Sequence, residues 1–322
     1  TSLGLRWICL AVLVPVPWSQ RPWALPFMTV LALGQKTSAK LNKRHRTIVQ
    51  WAEFMIDKVR RWQPEREITL VGDGSYAAIA LVQRCQRLKK HVKLVSRLRL
   101  DARLFDFPAP QSKHKRGPKP KKGARQIQLS QRLEDPETDW KKLKVTLYGE
   151  EHFIEFITGR SLWHTPGQDP VTIRWVLVRC PEDSFKPAAF FCSDTHISAK
   201  QIIVWFAWRW NIEVTFEELR AFLGFETQRQ WSDRAIERTT PCLFGIFSLV
   251  TIMAKMLFPI ELPVRQTSWY IKEEATFSDA LAAVRKHLWS HLNYERSSQN
   301  PDLFLIPQAA LFSLVDSACY ST

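Results

Sequence analysis

Acidic residues are scarce in this chain: 31 Asp and Glu stand against 46 Lys and Arg, and no carboxylate side chain precedes Glu53. The deficit leaves a formal charge of +15, so a polyanion is the expected partner through counterion release and steering, with nucleic acid first among the candidates. Cysteine is sparse too. Cys9, Cys85, Cys180, Cys192, Cys242 and Cys319 form no CxxC pair and have no histidine at zinc-ligand spacing, which argues against a zinc finger or a disulfide scaffold and for reduced, cytosolic thiols. The eight histidines show no ligand spacing either, and His45, His91 and His114 lie among Lys and Arg as solvated positions. Apolar runs are short or interrupted. Residues 7–17 end in Pro15 and Pro17, and residues 242–258 contain Gly245, Ser248, Thr251 and Lys255, so both read as protein interior rather than membrane. The residues after Thr1 show no secretory pattern, and a start without Met reads as a fragment.

What is present is enough for a core: 45% of the 322 residues are hydrophobic, which suits one large domain or two smaller ones. Residues 6–14 and 23–33 read as a pair of buried strands, followed by a basic turn at 36–46. Apolar spacing of three and four then predicts an amphipathic helix over 47–62, ended before Pro64. A strand at 68–71, a Gly-Asp-Gly turn, a helix from about 77 to 88 and a strand at 92–100 make an α/β order. Residues 111–125 carry seven Lys and Arg and no acid, with Pro and Gly against regular structure, and read as a mobile basic loop. Strand-like segments at 144–147, 153–158, 172–179 and 188–192 form a β-rich insertion.

A long helix restores the order. Ser198 with Gln201 marks its start as a capping box and Gly224 its end, giving about 25 residues or ~37 Å. Further helices are expected at 235–257, running past Pro241, at 277–292 and near 308–317. The long helix carries a broad apolar stripe, and along its edge Arg209, Glu213 and Arg220 fall close to Phe206. Such a row would hold a half-buried carboxylate between two guanidinium groups; a solvated salt-bridge ladder is the simpler reading of the helix pattern alone. Asp73 follows the apolar run 68–71, between Gly72 and Gly74, where α/β sheets place ligands and the backbone can approach a phosphate. A turn or cap is the plain alternative there.

The spacing Phe206-x2-Arg209-x3-Glu213-x6-Arg220 resembles the Y-x2-R-x3-E-x6-K signature of bacterial insertion-sequence DDE transposases, with Phe for Tyr and Arg for Lys. The surrounding WRWNIEVTFEELRAFLGFETQRQWSDRAIERT, the turn GDGSY, the strand region VSRLRLDARLF and the loop RGPKPKKG are similar to that family as well. The resemblance implies an RNase-H-like, retroviral-integrase-like α/β core interrupted by the β-rich insertion, plus C-terminal helices. The expected divisions are 1–105 for the first part of the core, 106–195 for the basic loop and insertion, 196–258 for the Glu213 helix and a buried helix, and 259–322 for a helical end.

The implied function is metal-dependent cleavage and strand transfer of transposon ends, with Asp73 and Glu213 as catalytic and metal-holding acids. Two Mg2+ or Mn2+ ions are expected in the complete enzyme, held by hard carboxylate oxygens, with no small-molecule cofactor. Three acids are required and two are visible; an RNase-H-like fold carries its first Asp on an opening strand, which is expected upstream of Thr1. Asp194 is a rival third acid, read instead as a turn cap. The implied partners are transposon-end and target DNA, with self-association on the DNA and no membrane, in the bacterial cytoplasm at the nucleoid. Phe206, Arg209 and Arg220 are the signature's candidate DNA contacts. From charge and position, Arg97 and the loop residues Lys113, Lys115, Arg116, Lys119, Lys121 and Lys122 are candidate phosphate contacts, and Trp163, in a turn of the insertion expected at 160–167, is a candidate for stacking on an unpaired base. A non-catalytic DNA-binding remnant and a metal-dependent nuclease are the alternatives.

Overall fold

Strand periodicity sets the layers. In the computed structural model, which describes residues 4–109, 119–147, 149–181, 185–264, 272–290, 295–296, 299, 304–312 and 314, apolar residues alternate across one large sheet. The chain divides into two compact units, residues 1–16 with 20–247 and residues 17–19 with 248–322.

The first unit opens with β1 (Trp7–Val14) and β2 (Trp23–Leu31), an antiparallel pair with a bulge between Leu10 and Ala11. The basic stretch expected as a turn contains a short helix, α1 (Gln35–Lys40). Then α2 (Ile48–Trp62) starts at a capping box in which the Thr47 hydroxyl and the Gln50 side chain each accept the other's backbone N–H. Its Met55 and Ile56 are buried, Met55 against Ile8 of the hairpin. Next come β3 (Ile68–Gly72), a single 3-10 turn at Gly74–Tyr76, α3 (Ile79–Arg87), β4 (Val92–Leu98), β5 (Leu104–Phe105) and α4 (Leu129–Glu134). Four strands follow: β6 (Lys141–Leu147), β7 (Glu150–Trp163), β8 (Val171–Arg179) and β9 (Ala188–Cys192).

The sheet order is β3-β4-β9-β8-β7-β5, with β6 also on β7. Only β3 and β4 run parallel; the other pairings are antiparallel. This mixed α/β arrangement is the expected class, and the β-rich segment sits where the sequence puts it. Period two gives each strand two buried faces. Leu94 and Leu98 of β4, Trp175 of β8 and Phe191 of β9 join the core beneath α2 and α3. Val95, Val176 and Phe190 join the core on the opposite face, with Ile202 and Ile203.

The helix expected over 198–224 is two helices, α5 (Ala199–Trp208) and α6 (Asn211–Leu223). Its ends fall at the residues read, with only the Ser198 arm of the expected capping box present among the described residues: the Ser198 hydroxyl accepts from the Gln201 N–H at 3.2 Å, and Gly224 adopts φ +68°, open to glycine at no steric cost. The break has no Gly or Pro. At Arg209–Asn211 the bonds tighten to i→i+3, Arg209 N–H to Phe206 C=O and Trp210 N–H to Ala207 C=O. Two docking surfaces explain it. Phe206 packs on Phe190 of the sheet with ring centroids 4.4 Å apart, whereas the Thr215 hydroxyl donates to Ala24 C=O of β2 at 2.8 Å.

After this, α7 (Asp233–Leu257) passes through Pro241, and the division between the units falls within it. It is long and apolar enough to cross a membrane by composition, yet Phe244, Phe247, Val250 and Ala254 are buried. In the second unit α8 (Phe277–Ser290) buries Phe277, Ala280 and Val284, and Asp279 accepts from the Thr276 N–H at 2.9 Å.

Candidate functional site

Asp73 stands one residue past the end of β3. Its Oδ1 accepts the Ser75 N–H at 2.7 Å, capping the 3-10 turn, so the plain cap role is real. The Asp73 carbonyl accepts the Ser96 hydroxyl at 2.6 Å, tying the turn to β4. Among the described residues its Oδ2 has no hydrogen-bond partner. Gly72 leaves no room for a side chain beneath the Tyr76 ring, whereas a Cβ on Gly74 would lie 3.9 Å from the Cβ of Arg97, an ordinary contact distance. Arg97 is exposed and follows Ser96, the register partner of Gly72, so the structure brings Arg97 to the Asp73 turn. Ser96 is the member of this group that sequence reasoning missed; a lone Ser in an apolar strand was its only signal.

Glu213 lies in the first turn of α6. Arg209 Nη1 donates to its Oε1 at 3.0 Å across the helix break, and the Arg209 guanidinium sits 5.7 Å from the Phe206 ring centre. Arg209 Nε is buried without a hydrogen-bond partner among the described residues. The expected Arg-Glu-Arg row is not formed. Arg220 instead donates from Nε and Nη2 to both carboxylate oxygens of Glu226, at 2.7 and 3.1 Å. Glu226 lies beyond Gly224 at φ +71°, off the helical period, so no helix pattern announces it. Phe206 faces Phe190 and is a packing residue here.

No hydrogen bond or ion pair joins Asp73 to Glu213 among the described residues. Their elements are connected through the sheet: α5 lies on β3, β4, β8 and β9, and α6 follows it to β2. No group of three His, Cys, Asp or Glu suited to a metal forms among the described residues. The donor chemistry does fit a hard divalent cation, since Asp73 Oδ2 and Glu213 Oε2 are carboxylate oxygens with no hydrogen bond among the described residues. Asp194 caps its own turn, accepting the His196 N–H at 2.9 Å.

The basic loop is only partly described. Lys113, Lys115 and Arg116 lie outside the described residues. Lys119 is exposed, Lys121 pairs with Asp169, and Lys122 Nζ is 3.0 Å from His164 Nδ1 and over the Phe105 ring. Trp163 overturns its expectation. It is the last residue of β7, 9% exposed, with its ring 5.3 Å from Phe191, because pairing with β8 continues to Trp163↔Val171 where a turn was expected.

One further feature borders Asp73. Among the described residues the hairpin β1–β2 has no strand pairing with the large sheet, and β3 is that sheet's edge. Ile8, Cys9 and Leu10 of β1 and Leu70, Val71 and Gly72 of β3 line one cavity of about 60 Å³ between them. Burial there pushes the Cys9 thiol up to about 12.

Residues 1–163 match the family described as DDE superfamily endonuclease, a span that includes Asp73 and ends before Glu213. No curated protein matches the chain. Among solved structures it is similar to a chain of the piggyBac transposase synaptic complex with hairpin DNA, at 10% identity and a TM-score of 0.37. That similarity covers 97% of this chain and 60% of the other, so this chain spans less than two thirds of its neighbour's length.

Proposed function

This chain belongs to the DDE superfamily endonucleases, and on that premise we propose that it carries two of the three acids of a transposase that cleaves and joins transposon-end DNA. The observation that supports the reading most is the Asp73 turn. One carboxylate oxygen is fixed by Ser75, the backbone is fixed by Ser96, the other oxygen is open, and Arg97 stands alongside. A phosphodiester approaching over Gly74 would meet little side-chain bulk and one guanidinium. Arg209 orients Glu213, so α6 offers the second carboxylate as a positioned group.

Two divalent ions, when bound, would activate the attacking oxygen and stabilise the leaving one. Asp73 Oδ2 and Glu213 Oε2 are the ligands this chain supplies. The third acid is assigned to an extended strand seated between β1 and β3. Two strand edges unpaired among the described residues, and the apolar cavity that both strands line, support that assignment, since unpaired edges beside a buried core favour strand addition. Self-association on DNA belongs to the same reading.

A second reading has its own support. Asp73 and Glu213 each have a structural partner, and no three-acid group stands among the described residues, which suits a DNA-binding protein without catalysis. Mn2+ titration followed by electron paramagnetic resonance separates the two. The transposase reading expects binding that Asp73→Asn and Glu213→Gln each weaken at least tenfold. Binding untouched by both, or absent while DNA is still bound, favours the second reading. Joined rather than merely cut products separate a transposase from a hydrolytic nuclease.

A further inference from the structure

We infer that the α1–α2 turn is a surface that grips the phosphodiester backbone of duplex DNA without reading sequence. The inference rests on DNA being the partner and is independent of the metal site. Residues 36–46 contain Lys36, Lys40, Lys43, Arg44 and Arg46 and no acid. All but Arg46 are exposed. Lys43 pairs with Glu237; the other four have no carboxylate partner among the described residues. Four neighbouring cations that form no ion pair among the described residues repel one another, and a polyanion relieves that.

Arg46 gives the patch its shape. Its guanidinium lies 4.8 Å from the Trp51 ring centre and 5.0 Å from that of Phe54, half-buried and with no hydrogen-bond acceptor among the described residues. Two aromatic faces hold the planar group without consuming its five N–H donors, which remain for phosphate oxygens. Two concavities, of about 290 and 300 Å³, open beside it, and Arg44 and Arg46 line both.

The two are not equivalent. The first has one acid, Glu237, already paired with Lys43, over an apolar floor of Val30, Leu31 and Leu33. The second contains Asp57, held by Arg84 at 2.8 and 2.7 Å, and Glu53, whose carboxyl burial pushes up against the pull of Arg84. A phosphate in the second would face Glu53, so the backbone is assigned to the first. This surface is better placed for contact than the described basic-loop residues Lys121 and Lys122, which are engaged with Asp169 and His164.

The test is the salt dependence of binding to a random-sequence duplex, read by fluorescence anisotropy. Each lost phosphate contact on B-DNA removes about 0.9 from the slope of log K against log salt, so Arg44→Gln with Arg46→Gln should flatten it by about 1.8 and weaken binding on the order of fifty-fold at 0.1 M salt. Because Arg46 also packs on Trp51 and Phe54, the exposed pair Lys36→Gln with Lys40→Gln and the single Arg44→Gln are measured too. Each should flatten the slope with melting unchanged. Unchanged slopes in these exposed variants, with wild-type binding intact, overturn the inference and leave the proposed function standing. A wild-type chain with no salt-dependent affinity for DNA overturns both.

Discussion

Tyr76 folds back over Gly72 so closely that a methyl group on Gly72 would lie 3.0 Å from the Tyr76 Cβ and 3.1 to 3.2 Å from its ring. Burial, and then the charge of Asp73, push the Tyr76 hydroxyl up to about 12. The residue between strand and turn is therefore glycine because the tyrosine occupies the side-chain volume. Gly72→Ala should cost about 1–3 kcal/mol in urea unfolding, the usual range for forcing a methyl into a packed site. It should also weaken Mn2+ binding, although Asp73 is untouched. A variant as stable as the parent would mean the ring moves freely.

Substitution separates the cap role of Asp73 from the metal-holding role proposed for it. Asparagine keeps an oxygen for the Ser75 N–H but loses the charge, whereas alanine loses both. Asp73→Asn should melt within a degree or two of the parent, and Asp73→Ala should lose about 1 kcal/mol. Both should lose metal binding alike. Retained Mn2+ affinity in the asparagine variant would reduce Asp73 to a cap.

How far the sequence could be read depends on where each signal lies. The strand and turn that hold Asp73 were legible because strand, Gly-Asp-Gly and Tyr76 are local, and Ser198 and Gly224 marked their helix ends because caps are local too. The break at Arg209–Asn211 was not, since Phe190 and Ala24 cause it and lie far away in sequence. Glu226 escaped for the opposite reason: it is near Arg220 but past a left-handed residue, where helical periodicity no longer applies.

Trp163 is a further case, because Gly167 and its neighbours suggested a turn while the β7–β8 register carries the strand to Trp163. As a core residue beside Phe191, Trp163→Ala should cost about 3–5 kcal/mol. The folded fraction should bind DNA as the parent does. A selective loss for single-stranded DNA at unchanged stability would restore the stacking role.

Thiol reactivity tests the packing. Burial raises Cys9 and Cys85 from an ordinary value of 9.0 to about 12 and Cys192 to about 11, whereas Cys242 is exposed. At pH 8 a thiol of pKa 12 is thiolate in about one molecule in ten thousand, so only Cys242 among these four should label quickly with a disulfide reagent. Because the folded values are raised, the neutral thiols contribute stability that is complete below about pH 9 and is lost as pH climbs toward 12. Rapid native labelling of Cys9 would mean that the cavity between β1 and β3 opens to solvent.

On the proposed function, that cavity also bears on activity. Two carboxylates hold a divalent ion weakly, and in-line displacement at phosphorus needs both the attacking and the leaving oxygen stabilised. The 322-residue chain is therefore expected to bind transposon-end DNA and neither nick nor join it, in Mg2+ or in Mn2+. An extended apolar strand with one Asp, supplied ahead of β1 so that it pairs with the free edges of β1 and β3, should restore cleavage. It should also raise the melting temperature, since it pairs strand edges left open among the described residues and adds apolar side chains beside Ile8, Leu10, Leu70 and Val71. The same strand with Asn for Asp should give the stability without the cleavage. Cleavage by the 322-residue chain itself, abolished by Asp73→Ala, would show instead that an acid already within it completes the site.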